Sequence, residues 1–154
     1  MEETVATVDP ALQTRSTAIT QLAVFDAVNS IIGEYEPYLR RINAPSGASP
    51  EAAAIAAAHR ALVVLHPNSA TKLDALRVSS LAAIPDGQAK NDGISIGVAA
   101  TDAILALRAQ DGAGTVVPYM PGIRPGDWQP TPPDFAPAYR PGWCQVVTLG
   151  SPAE

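Results

Sequence analysis

Aromatic side chains are scarce in this sequence, eight among 154 residues, so its core cannot be built mainly from rings. The apolar content falls instead on Ala, with some Leu, Ile and Val, and small side chains suit helices that approach one another closely. Positive charge is also sparse: ten Lys and Arg residues against fifteen Asp and Glu give a net charge of −5. The only adjacent basic pair is Arg40-Arg41, and a chain of this balance lacks the basic face that nucleic-acid phosphates demand. One cysteine, Cys144, permits no internal disulfide and no thiolate metal cluster, and is expected to pack as a small buried hydrophobe.

Long apolar runs are missing too. The longest is the seven residues Ala52 to Ala58, far short of the roughly 20 needed to cross a bilayer. The opening "MEETVATVDP" is acidic and has neither the basic nor the apolar region of a signal peptide. These features predict a soluble protein, with the cytoplasm favoured.

Alternating strand patterns are nearly absent, "CQVVTL" near the end being the one candidate, and the expected class is all-α. Four helices can be placed by their punctuation. The first opens at Asp9-Pro10, an N-cap followed by proline at the first helical position, and ends near Ile32 at Gly33. The second opens at Ser49-Pro50-Glu51 and ends by His66, before Pro67. The third covers about residues 70–83 and stops at the turn "IPDG"; the fourth covers about 88–109. Residues 1–154 are expected to form a single helical domain: a four-helix core followed by an arm over about 115–145.

That arm is where proline concentrates, with eight in the 24 residues from Pro118 to Pro141. Proline lacks an amide hydrogen and fixes φ, which predicts extended chain and turns. Tyr119, Trp128, Phe135, Tyr139 and Trp143 supply apolar surface expected to be buried against something. In the fourth helix Gly93 and Gly97 share a face; each costs about 1 kcal/mol relative to Ala, and close packing of a neighbouring helix is the expected compensation. The membrane reading of that spacing fails beside Lys90, Asp92 and Asp102.

The candidates for chemistry are few. His59 and His66 lie on one face of the second helix, but seven residues at about 1.5 Å each separate them by roughly 10.5 Å, too far to share a metal. They are expected to be one partly buried, hydrogen-bonded histidine and one at a helix C-terminus. Asp26 and Asn29 fall beside Leu22, Phe25 and Ile32, the side expected to be buried, and so need partners. They read either as a site with a perturbed acid or as a buried pair tying the first helix to the loop at Tyr35 to Tyr38; the second is preferred. The segment "APSGAS", Ala44 to Ser49, lacks the strand and the Lys of a phosphate loop and reads as an ordinary loop with an N-cap.

Taken in order, "VFDAVNSI" (Val24 to Ile31), "YEPYL", "ASPEAAAIAAAHRALVVLHP" (Ala48 to Pro67), "LAAIPDG", "AILALRAQDG", "GDWQPTPP" and "PGW" resemble the N-terminal helical region of bacterial vanadium-dependent haloperoxidase-like proteins. These are relatives of the type 2 phosphatidic acid phosphatases, and the likeness runs from about Asp9 to Thr148. It implies an all-helical enzyme that binds vanadate, or phosphate in the phosphatase relatives. Three later motifs do the binding: Lys, six residues, Arg-Pro; Pro-Ser-Gly-His; and Ser-Arg, five residues, His. This sequence departs from all three. Neither Lys72 nor Lys90 is followed by Arg-Pro in register, "PSGA" at Pro45 carries Ala48 in place of histidine, and Arg15-Ser16 is the third motif's dipeptide reversed.

No catalytic, cofactor-binding or metal residue is therefore carried over, and vanadate is expected only in a complete family member. The expectation is an inactive scaffold, the helical front half of an enzyme whose chemistry lies beyond Glu154, able to pair with a catalytic half. The alternative is a stand-alone helical interaction module that self-associates or binds a partner through exposed apolar surface. A small hydrolase using Asp26 or His59 ranks last, for lack of a recognisable nucleophile and base.

Overall fold

The computed structural model describes residues 9–150; most of the acidic opening stretch read above, residues 1–8, lies outside them. The protein is all-α, with a four-helix core and no strand among the described residues. It divides into two compact units, one ending at Ala109 and the other beginning at Gln110.

Helix α1 spans Pro10–Ile32. The Asp9 carboxylate accepts the Leu12 amide at 3.0 Å, and Gly33, at φ 76°, closes the helix by donating its amide to the Asn29 carbonyl. Helix α2, Pro50–Leu65, is capped by the Ser49 hydroxyl, which accepts the Ala52 amide at 3.1 Å. A short 3₁₀ turn, Pro67–Ser69, leads to α3, Ala70–Ala82, and after the "IPDG" turn α4 runs Gln88–Arg108. The predicted ends at 66, 83 and 109 each overshoot by one residue: His66, Ala83 and Ala109 are C-caps.

Helix α2 is the centre of the unit, packed against α1, α3 and α4, while α1 also meets α4. Alanine makes this possible. Ala27, Ala53, Ala57 and Ala100 form the innermost cluster, with Val24, Ile31 and Ile42 against it. Where α4 crosses α2, a Cβ added at Gly93 would sit 2.3 Å from the Ser49 carbonyl oxygen, and one at Gly97 would sit 2.3 Å from that of Ala53. Only hydrogen fits in either place. The Thr101 hydroxyl, fully buried, lies 2.8 Å from the Gly97 carbonyl oxygen and 3.2 Å from that of Ala57 across the interface. On the rim, Arg60 pairs with Asp102 at 2.8 Å. Helix α3 is the peripheral member. Among the helices it packs on α2 alone, and Leu81 is its one buried residue.

Two sequence expectations about burial need correction here. The buried side of α1 is Ser16, Ile19, Thr20, Ala23, Asp26, Ala27, Asn29 and Ser30, whereas Phe25 and Ile32 stay 39% and 52% exposed. Small and polar residues face the bundle because the helices approach too closely to admit rings. Cys144 is also exposed, its thiol 3.9 Å from the Pro141 carbonyl oxygen, because it sits in a surface 3₁₀ turn rather than in a core.

Among its described residues the second unit contains one regular element, the 3₁₀ turn Trp143–Gln145. The candidate strand "CQVVTL" is not one: Cys144 and Gln145 belong to that turn, and the Val147 amide donates to the Asp111 carbonyl at 2.9 Å. The unit is held by such local closures. The Asp111 carboxylate accepts the Ala113 amide at 3.0 Å, and Arg140 donates to the Ala113 carbonyl at 3.2 Å. The burial expected of the arm's aromatics is only partial. Tyr119, Trp128, Phe135 and Tyr139 remain 42–61% exposed, because a chain turned so often by proline builds no layered core for them to enter. Tyr119 and Trp128 meet edge to face at 5.6 Å, and the Arg140 guanidinium lies 5.5 Å from the Trp143 ring centre.

Candidate functional site

The polar side chains of the helical unit gather in three places. The first is the buried end of α1. Asp26, 2% exposed, accepts the Tyr38 amide at 2.7 Å with one carboxylate oxygen and the Leu39 amide at 2.9 Å with the other. Asn29 donates to the Tyr35 carbonyl at 2.7 Å and accepts the Tyr35 amide at 3.0 Å. Ser30 adds a third clasp, its hydroxyl accepting the Ile42 amide at 2.9 Å. The tie between α1 and the Tyr35 to Tyr38 loop that the sequence suggested is present, and it extends to Ile42. Every side-chain oxygen here faces a backbone amide, so the group works as a template for the loop. Beside it, the Tyr38 hydroxyl is buried without a protein partner.

The second place joins α1 to the end of α2. Ser16 Oγ and His66 Nε2 are 2.5 Å apart, close enough for the contact a nucleophile makes with its base. The surroundings do not suit that role. Ser16 is 5% exposed, it lies in the body of a helix whose amides are spent on helical bonds, and Thr20 donates back to its carbonyl at 2.8 Å. A carbonyl substrate would find neither access nor oxyanion donors. The pair acts as a clip, and His66, expected merely at a helix end, is hydrogen-bonded as well.

The third place lies between α2 and α3. His59 Nε2 is 2.7 Å from Asp74 Oδ1, and the histidine side chain is 20% exposed. This fulfils the expectation of a partly buried, bonded His59, with a partner on α3 that spacing could not reveal. The two histidines thus bond to different helices, and among the described residues no three His, Cys, Asp or Glu side chains converge as a metal site.

Elsewhere the charges are local. Its own backbone amide, and then the Ser49 hydroxyl, hold the Glu51 carboxyl below the usual carboxylate range at the start of α2. The Lys90 ammonium, hydrogen-bonded at 2.9 Å, does the same for Asp86 in the turn before α4. The loop Ala44 to Ser49 supplies the α2 cap, and its Ser49 amide donates to the Ala89 carbonyl at 2.9 Å. Lys72, Lys90, Arg15 and Arg60 are carried on four helices: Lys72 on α3, Lys90 on α4, Arg15 on α1 and Arg60 on α2.

A groove of about 250 Å³ runs along the outer face of α1 between Phe25, Ile32 and Tyr35. In the second unit, a cavity of about 320 Å³ lies between the Thr115–Val117 stretch and the Arg140–Trp143 turn. No helix among the described residues is long and apolar enough to cross a membrane. Set against protein-family models, curated proteins and solved structures, the chain matches none of them.

Proposed function

We propose that this chain is a non-catalytic helical scaffold of the kind that forms the N-terminal region of the vanadium-dependent haloperoxidase-like proteins it resembles, with the oxyanion chemistry carried by other residues. The supporting observation is what α1 does with its buried polar groups. Both oxygens of Asp26, both ends of the Asn29 amide and the Ser30 hydroxyl are engaged by the backbone of one loop. A catalytic acid needs an oxygen that can face a substrate, whereas these are occupied in holding shape.

The purified chain, supplied with vanadate, peroxide and bromide, or with a phosphate monoester, is expected to show no turnover above buffer. Turnover that disappears in Asp26→Asn or His66→Ala would overturn the scaffold reading.

A second reading, an interaction module, is favoured by apolar side chains standing in solvent. Val116, Met120 and Ile123 in the second unit are 86–98% exposed, and such surface drives association. Light scattering on the same preparation is expected to show self-association that rises with concentration; a strictly monomeric protein at all concentrations removes this reading.

A further inference from the structure

The groove between α2 and α3 is not explained by either reading. It has a volume of about 210 Å³, equal to about seven water molecules at roughly 30 Å³ each, which is room for an alkyl chain of medium length. Ile55 and Leu62 of α2 and Leu73 and Leu76 of α3 give it an apolar lining, and the polar residues along it are Arg77, Ser80 and His59, the last already joined to Asp74. A helix pair that closed tightly would leave no such space; α3 meets α2 with a single buried residue, Leu81.

The charge in the groove points to the occupant. Arg77 is half-buried and has no ion-pair or hydrogen-bond partner among the described residues. Its natural local partner is Asp74, three residues earlier on the same face of α3. That carboxylate is instead held by His59 at 2.7 Å. The nearest acid of α3 is therefore spent on α2, and a guanidinium is left beside an apolar slot, with the Ser80 hydroxyl one turn further along. A guanidinium so placed favours a carboxylate, which it can bind through two parallel hydrogen bonds.

We infer that the α2–α3 groove is a binding site for a medium-chain alkyl carboxylate, the chain lying against Ile55, Leu62 and Leu76 and the carboxylate meeting Arg77. The site is separate from the clasps of α1 and does not depend on the scaffold reading.

Calorimetric titration of the full chain with octanoate tests it. Saturable binding is expected, with octylamine, which has the same chain and the opposite charge, failing to bind. Arg77→Ala should weaken octanoate by about tenfold or more, the loss of a charge-assisted contact, with helix content unchanged because Arg77 holds no hydrogen-bond or ion-pair partner among the described residues. Leu76→Trp, at a position 53% exposed, should fill the slot and abolish binding without unfolding the chain. No saturable binding of octanoate, equal binding of octylamine, or octanoate affinity indifferent to Arg77→Ala would each overturn the assignment.

Discussion

Gly97→Ala is expected to lower the unfolding free energy by about 3 kcal/mol, at the upper end of what over-packing a close interface costs. Alanine is the better helix former, and by propensity alone the change would stabilise α4 by about 1 kcal/mol. Sterics decide the sign. The new methyl would stand 2.3 Å from the Ala53 carbonyl oxygen and 2.9 Å from both the Ala57 amide nitrogen and the Ala56 methyl. Two of those three atoms are backbone, so no rotamer change relieves the clash and α2 must move bodily. Urea denaturation should show a lower midpoint at an unchanged slope. A neutral or stabilised Gly97→Ala would mean that the two helices can slide apart freely, contrary to the packing described above. Gly93→Ala meets the Ser49 carbonyl at the same 2.3 Å and should behave alike.

Asp26→Ala removes the acceptor for the Tyr38 and Leu39 amides at once, and a loss of about 3 kcal/mol is expected from two hydrogen bonds to a charged group, each worth about 1.5 kcal/mol or more. The cost should fall on the loop first. Arg40 and Arg41 lie in it, and trypsin should cut there much faster in the variant than in the parent, before global unfolding. Asp26→Asn retains one acceptor oxygen and presents an NH₂ group to the other amide, so an intermediate effect is expected. If neither stability nor the cleavage rate changes, the clasp is not what orders residues 35–42.

The parts of this fold that were legible from the sequence are those in which one residue states its own requirement. Proline after Asp9 and after Ser49 announced two helix starts, and Gly33 a helix end. Gly93 and Gly97 spent helix propensity for which only close packing could compensate. Asp26 and Asn29, polar in a buried register, demanded partners, and the loop just past Gly33 was near enough in sequence to supply them. What stayed hidden depended on pairs or on volume. The bonds of Ser16 to His66 and of His59 to Asp74 join residues 50 and 15 apart, and nothing local in a histidine names its partner.

Phe25 and Ile32 misled for a different reason. Hydrophobicity placed them toward the bundle, but helices spaced for alanine and glycine have no room for them, and size overruled polarity. The arm repeats the lesson: its rings had the surface to seek burial, yet a chain turned so often by proline leaves them half-exposed. The separation of Arg77 from Asp74 was equally beyond reach, since α3 alone suggests a bond to Asp74 that α2 takes away.

The alanine and glycine seam between α2 and α4 has a thermal consequence. Unfolding raises the heat capacity mainly through newly hydrated apolar surface, and a seam closed by methyl groups and bare backbone hides little of that surface for each residue it orders. Its cohesion rests more on close atomic contact, whose benefit comes from proximity rather than from expelled water. Such an interface should contribute a flat stability curve: compared with a core of large aliphatic and aromatic side chains, it loses less of its hold on cooling.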